Sequence, residues 1–353
     1  DGCTVSIPSF RLDLLREVDL IEEVARIYGL NNIPTAPPAA RIGGERVEDA
    51  YYALELMRDE LLMLGLYECL TYSTVGTDIV TAKSEYDPDC MLHLKNPLSS
   101  EMGVMRPSLL QAILDTVAHN IAHGNPHLAL FELGRAYRGM PDDPEERNEA
   151  AIALTGLKNP ERFSTERQVT YDIFDLRGLL EDWLQARRIN NYIVRATTHF
   201  AFEAGAEVVV NDTVLAVFGQ VTHAQVEEMR ITMPLLVALV NVDNVLAVGS
   251  APSKYTPLAP FPATSRDVAF IADESLEHQQ VIDLINAVGV KILEKVELFD
   301  IFHDPETIGA GRKSMAYSLT FRATDRTLKD SEVNKAHEKI RARLADELPI
   351  ELR

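Results

Sequence analysis

The sequence predicts an α+β protein in which an antiparallel sheet domain flanked by helices precedes a smaller unit of order βαββαβ. Three observations carry that prediction. Proline- and glycine-rich stretches at 32–45 and 249–265 interrupt the 353-residue chain and divide it into about three pieces, 1–36, 46–249 and 261–353. In the middle piece a helix, a strand, a polar loop and a second helix lead into several strand-like segments. In the last piece strand and helix patterns follow one another in a split order.

The first piece holds "RLDLLREVDLIEEVARIYGL", residues 11–30, where Leu20, Ile21, Val24 and Ile27 form an apolar stripe expected to pack a helix. Asp13, Asp19, Glu22 and Glu23 crowd the other side. Asp19, Glu22 and Glu23 stand at i, i+3 and i+4, where like charges repel by a few tenths of a kcal/mol unless a cation relieves them. Acids in a first turn also favour the helix dipole, so spacing alone leaves two readings open.

In the middle piece, Leu54, Met57, Leu61 and Leu64 line one face of a helix that ends near Gly65, before the strand "YECLTYS". "MLHLK" reads as a strand, and a long helix starts at about Pro107. "HLALFELGRAY" and "AAIALTGL" read as an antiparallel pair joined by a long acidic loop, "GMPDDPEERNE". "DLRGLLEDWLQAR" is a helix, "AEVVVNDTVLAVFGQV" two strands turned at Asn211-Asp212, and "LLVALVNVDNVL" one more strand.

The last piece has strand "RDVAFIAD", a helix with Val281, Leu284, Ile285 and Val288 inward, and the apolar β-rich "LEKVELFDIFHD". Met315, Tyr317, Leu319 and Phe321 then alternate with small or polar residues, as a strand with one buried face requires. A helix entered through Asp330 or Ser331, with Val333, Ala336, Ile340 and Leu344 inward, leads to "PIELR". The order βαββαβ is that of a ferredoxin-like split sandwich.

With 46% apolar residues the chain can bury a core, and it is not a disordered polypeptide. Its formal net charge of −20 works against general nucleic-acid affinity. From residue 259 onward 13 Lys and Arg face 17 Asp and Glu, a net of −4, so any RNA-facing surface is expected locally in the last piece. The cations there, Arg266, Arg312, Lys313, Arg322, Arg326 and Lys329, sit at strand ends and before the last helix; Arg266, Lys313, Arg322 and Arg326 are the candidates for RNA contact. Cys3, Cys69 and Cys90 form no CxxC pair, which fits a reducing, cytoplasmic setting. The longest apolar run, 233–242, is about half a membrane span, and no secretory leader is visible. The start on Asp1 reads as a cut from a longer protein. GxSxG, HExxH, Walker and GxGxxG patterns are absent. His119, His123 and His127 lie at i, i+4 and i+8, but Gly124-Asn125-Pro126 ends the helix between the last two, so a helix-end polar role is expected rather than a zinc site. "GAGRK", 309–313, reads as a hairpin loop.

Taken together, "PSFRLDL…DLIEEVARIYGLNNIP", "LKNPLSSEMGVMRPSLLQAILDTVAHN", "LFELGRAY" and "FPATSRDVAFI" through "RTLKDSEV" make the chain resemble the β subunit of bacterial phenylalanyl-tRNA synthetase. The resemblance runs from inside that family's helix-turn-helix-like domain to its C-terminus. It implies that 1–36 is the truncated end of that domain, that 46–249 is a class II synthetase-like domain without catalysis of its own, and that 261–353 is a ferredoxin-fold anticodon-binding domain. It also implies a catalytic α subunit that binds ATP, a heterotetramer of two α and two β chains, tRNA(Phe) as partner and no membrane. A magnesium ion shared with the α subunit would be held by Asp13, Asp19, Glu22 and Glu23. The family's editing domains lie before residue 1. Class II adenylation needs an RxE arginine and a second arginine after a glycine-rich strand, because charge develops on the phosphates. Here "LFELGRAY" has Phe131-Glu132 without RxE, and "VFGQVTHAQVEEMR" lacks the glycine pair and the arginine in register. A stand-alone class II enzyme and a simple RNA-binding module are the alternatives.

Overall fold

A computed structural model describes residues 2–36, 49–77, 90–140, 142–159, 169–249, 252, 254, 255 and 257–353. Most of the first proline-rich stretch, 37–45, and parts of the second lie outside them. The chain divides into two compact units, Asp1–Pro252 and Ser253–Arg353.

The first unit opens with α1 (Glu17–Tyr28), followed by a single 3-10 turn at Leu30–Asn32. The predicted period is present, but the predicted packing is not. No residue of α1 is buried, and Ile21, Val24 and Ile27 are 59%, 69% and 78% exposed. An amphipathic pattern fixes which face is apolar, and burial needs a second element over that face.

In α2 (Asp49–Met63), Met57 and Leu61 are fully buried, with Leu54 and Leu64 packed beside them. Gly65, at φ +86°, lets the chain leave the helix. Of the expected strand "YECLTYS" only β1 (Tyr67–Glu68) forms, and a separate β2 (Thr74–Val75) begins just after it. Arg106 causes the break. Its Nη1 donates to Thr71 Oγ1 at 2.7 Å, and its amide donates to the Ser73 carbonyl at 2.9 Å. Residues 90–95 form no strand of their own, only an isolated bridge from His93 to Val104 in β3 (Val104–Met105), which pairs with β2.

Helix α3 (Leu110–Ala122) begins three residues after Pro107. A distant carboxylate sets that start: Glu149 Oε1 accepts from Ser108 Oγ at 2.7 Å and from the Leu109 amide at 2.9 Å, satisfying donors that a helix N-terminus leaves open. Strands β4 (Leu128–Met140) and β5 (Asp143–Thr155) form a tight hairpin, so the acidic segment expected as a long loop is mostly strand. Charge pairing across the strands, such as Arg135 to Glu146 at 2.6 Å, makes that extension tolerable in solvent.

Asp172 caps α4 (Ile173–Ala186), and β6 (Ile193–Thr197), β7 (Phe202–Val210), β8 (Thr213–Val221) and the short α5 (His223–Glu228) follow. The turn at Asn211-Asp212 is as predicted, with φ of 47° and 65°. "LLVALVNVDNVL" is a strand only to Asn241: β9 (Leu235–Asn241) gives way to α6 (Val242–Val248) because the Asn241 side chain accepts from the Asn244 amide at 3.0 Å and caps the helix. The seven-stranded sheet has order β1-β4-β5-β9-β8-β7-β6, antiparallel except for β1 beside β4. One face packs on α2 and α4 through Met57, Leu61, Phe131, Ile152, Leu180 and Trp183; the other packs on α3 through Ile113, Val117 and Val237. This is the helix-flanked antiparallel sheet that was expected.

The second unit has β10 (Thr264–Asp273), α7 (His278–Ala287), β11 (Leu293–Phe302), the short α8 (Pro305–Ile308), β12 (Arg312–Phe321), α9 (Asp330–Glu347) and β13 (Ile350–Leu352). Its antiparallel sheet, in the order β11-β12-β10-β13, is the ferredoxin-like arrangement. Met315, Tyr317, Leu319 and Phe321 are buried against the helices; of the expected hairpin loop 309–313, residues 309–311 form the loop and Arg312 and Lys313 open β12. The cap of α9 is Lys329, one residue earlier than expected, because Glu332 Oε2 reaches back to accept from the Lys329 amide at 3.1 Å.

Arg106 and Glu132 side chains are 4% and 2% exposed and meet at 2.7 Å. Replacing Glu132 by Gln leaves the guanidinium buried without its counter-charge, a loss of about 3–5 kcal/mol by comparison with other buried pairs. A calorimetric scan should show the first unit melting well below its wild-type midpoint; an unchanged midpoint would exclude this role for the pair.

Candidate functional site

The acidic segment before and along α1 is organised by arginines. Arg11 Nε donates to Asp13 Oδ1 at 3.0 Å, and Arg11 Nη2 donates to Asp13 Oδ2 and to Glu23 Oε1, each at 2.6 Å. Asp13 and Glu23, ten residues apart in sequence, therefore share one guanidinium. Arg26 Nη2 donates to Glu23 Oε2 at 2.6 Å. Asp19 turns away from them. Its Oδ2 accepts from the Leu15 and Arg16 amides at 2.9 and 2.7 Å. Glu22 makes no side-chain hydrogen bond or ion pair among the described residues. Hydrogen bonds from Arg11 hold the Asp13 carboxyl at about 2, Arg11 and Arg26 lower that of Glu23, and the two amides lower that of Asp19.

All four side chains offer hard carboxylate oxygens of the kind Mg²⁺ prefers, and two of them converge on one positive centre. Among the described residues no group of three or more His, Cys, Asp or Glu is gathered closely enough to hold a metal ion. His119 and His123 sit at the helix end as expected, their tilted rings 4.1 Å apart and His123 Nδ1 2.7 Å from the His119 carbonyl, whereas His127 lies beyond it, just before β4, and accepts from the Leu157 amide.

In the second unit the register sets Thr264 opposite Phe321 and Asp273 opposite Arg312. Arg266, Arg322 and Arg326 therefore gather toward one end of the sheet and Lys313 lies at the other, about 20 Å from Arg266 and about 30 Å from Arg322 along the strands. All four have partners: Asp330 for Arg266, Glu294 for Arg322, Glu332 for Arg326, and the Glu274 carbonyl for Lys313.

The sheet of the second unit also carries two exposed aromatics. A register irregularity between Leu298 and Asp300 turns Phe299 out, and Phe302 falls opposite Ser314 on the face away from the buried Met315 and Tyr317. Phe299 is 58% and Phe302 44% exposed. In "LFDIF" apolar residues flank Asp300 on both sides, so the stretch carries no alternation that could have revealed this.

Two features of the first unit complete the inventory. Met63, Tyr67, Leu70 and Tyr72 are exposed around β1, the outer strand of the large sheet. A cavity of about 230 Å³ lies over β5, β9 and β8, lined by Arg138, Arg147, Glu149, His199, Asn241 and Asn244 among others.

Cys69 is no nucleophile. Burial and then the nearby Glu132 charge push its thiol up to about 12. A thiol reagent at pH 8 should modify the exposed Cys3 and Cys90 rapidly and the half-buried Cys69 more slowly; equally rapid loss of all three thiols in the native chain would contradict this.

The family model described as "Phenylalanyl tRNA synthetase beta chain CLM domain" matches residues 33–242. "tRNA synthetase B5 domain" matches 1–30 and "Ferredoxin-fold anticodon binding domain" matches 259–353. The phenylalanine–tRNA ligase beta subunit of Streptococcus pneumoniae is 35% identical over 364 residues, covering 100% of this chain and 44% of the relative. That of Clostridium tetani is 31% identical over 368 residues, again covering 100% and 44%. The chain thus spans less than half the length of these curated relatives. Among solved structures, a pyrrolysyl-tRNA synthetase from Desulfitobacterium hafniense aligns at 14% identity and a TM-score of 0.45, over 69% of this chain and 81% of the other. A family match over more than half its length settles the kinship: the chain belongs to the phenylalanyl-tRNA synthetase beta chain family.

Proposed function

We propose that this chain is the non-catalytic β portion of phenylalanine–tRNA ligase, supporting a catalytic α subunit and binding tRNA(Phe) through its second unit, in the cytoplasm. One observation carries the non-catalytic reading. Glu132, in the strand where a class II enzyme presents RxE, is 1% exposed and spent on Arg106 and Thr71 rather than left for a ligand. ATP is then bound by the α subunit, in a heterotetramer of two α and two β chains. The exposed apolar group around β1 supports α-subunit contact there, since such clusters mark protein interfaces. Asp13, Asp19, Glu22 and Glu23 supply this chain's side of a magnesium site completed by the partner. Their oxygen chemistry and the convergence of Asp13 and Glu23 support that role. When bound, Mg²⁺ would neutralise the cluster and tie the two subunits. Among the described residues no helix is long and apolar enough to cross a membrane.

A second reading, a nucleotide site of the chain's own, has the Arg138 and Arg147 cavity behind it. Tight ATP binding by the chain alone would support that reading.

Charging of tRNA(Phe) should require this chain together with an α subunit, and Tyr72→Asp should reduce co-purification of the two. Charging by this chain alone would overturn the proposal. In the second unit, replacing Arg266, Lys313, Arg322 and Arg326 by Gln should weaken tRNA binding and flatten its salt dependence. Phe302→Ala should cost about 1–3 kcal/mol of binding with the salt slope unchanged, as a stacked base would. If filter binding shows neither change, RNA contacts this unit elsewhere.

A further inference from the structure

The cavity over β5, β9 and β8 has an apolar floor and a basic wall. Val217 and Leu239, opposite each other in the pairing of β8 with β9, form the floor. Register sets the wall. Across the hairpin of β4 and β5, Arg138 lies opposite Glu145 and Arg147 opposite Ala136, so the two arginines are a diagonal pair on one face, with Cα atoms about 7–8 Å apart. Two long guanidinium side chains can converge from that separation. Arg138 Nε donates to the Pro107 carbonyl at 2.9 Å, which steadies its guanidinium. The nearby acceptors are committed within the fold. Glu149 Oε1 accepts from Ser108 Oγ and the Leu109 amide, and its Oε2 accepts from Arg147 Nη2. Asn241 Oδ1 accepts from the Asn244 amide, which makes Nδ2 the end of that side chain that can donate to a ligand. The His199 ring lies 4.6 Å from that of Phe202, and its Nδ1 accepts from the Ala201 amide at 3.3 Å, so the neutral ring carries its proton on Nε2.

We propose that this cavity binds a small oxyanion, the carboxylate or phosphate group of a compact molecule, gripped between Arg138 and Arg147 with its apolar part over Val217 and Leu239. A guanidinium presents N–H pairs at the spacing of two carboxylate or phosphate oxygens, and the histidine and asparagine add neutral donors. Among the described residues that line the cavity, two guanidiniums stand against the one carboxylate of Glu149, so the cavity is cationic in a chain whose net charge is −20. Size narrows the ligand further. At about 230 Å³ the cavity is smaller than the roughly 300–1,000 Å³ of pockets that enclose drug-sized ligands, so a whole nucleoside triphosphate would stand partly outside it. Occupancy needs no adenylation chemistry, so the site stands whether or not the chain is catalytic.

Isothermal titration of the full chain with sodium phosphate, sodium isobutyrate and ATP, at fixed ionic strength so that screening stays constant, tests this. Circular dichroism confirms that each variant keeps its fold. Phosphate, isobutyrate or both should bind, and the tighter of the two tells a phosphate ligand from a carboxylate one. Arg138→Gln should weaken that binding about tenfold through loss of a charged donor. Val217→Phe, which fills the floor and removes no charge, should weaken it as well, and ATP should bind no more tightly than phosphate. Absence of phosphate and isobutyrate binding, or binding that both variants leave unchanged, would overturn the proposal. ATP binding tighter than phosphate and lost in both variants would overturn the size limit and favour the nucleotide reading. The charging assay with the α subunit reports separately on the non-catalytic reading.

Discussion

The buried ion pair between Arg106 and Glu132 organises the larger unit. Taking two charges out of water is costly, and the cost is tolerable only when the remaining donors and acceptors are also satisfied. Here they are: Nη1 reaches Thr71, Nε donates to the Arg135 carbonyl at 2.9 Å, and Glu132 also accepts from the Thr71 hydroxyl. Gly134 belongs to the same arrangement, because a Cβ there would collide with Arg106 Nη2. The pair fastens residues 71–73 and 106 to β4, where sheet pairing alone would not hold them. One strand over, buried Glu149 does comparable work by taking the donors at the start of α3 and pairing with Arg147 at 2.5 Å.

Carboxylates in this acidic chain thus have two distinct uses. Inside the first unit they bind segments of irregular backbone to the sheet, and breaking them exposes an unmatched charge to a poor solvent. At the surface, around α1, the same groups are neutralised by flexible arginines in high dielectric, where each pair contributes little and is easily exchanged. That difference separates a structural carboxylate from one available to a cation. The second unit follows the surface pattern. Arg266, Arg322 and Arg326 are paired with local acids, so RNA that binds there must compete with those partners and gain from contacts other than charge, such as the two exposed phenylalanines.

Much of the fold was legible because period and punctuation report local geometry. Alternation at 314–321 placed one buried strand face, Asn211-Asp212 marked a turn, and the stripe from Leu54 to Leu64 marked a packed helix face. The readings that failed did so where a remote group decided. Arg106 cut "YECLTYS" short, Glu149 moved the start of α3, and the Asn241 cap turned the end of an apolar strand into a helix. The acidic segment 139–149 looked like a loop by composition and became mostly strand through pairing across the hairpin.

At the site level, the sequence alone determined which acids share a helix face near residue 19 and that the chain as a whole repels polyanions. Only the tertiary structure decided that Asp13 and Glu23 meet on Arg11, that Asp19 is spent on backbone amides, and that Lys313 stands apart from the other three candidate cations. It also decided that Phe299 and Phe302 face solvent and that the α1 stripe is left uncovered among the described residues. The reason is the same in each case: spacing along a chain defines faces and registers, whereas partners and burial depend on what the rest of the fold brings to those faces.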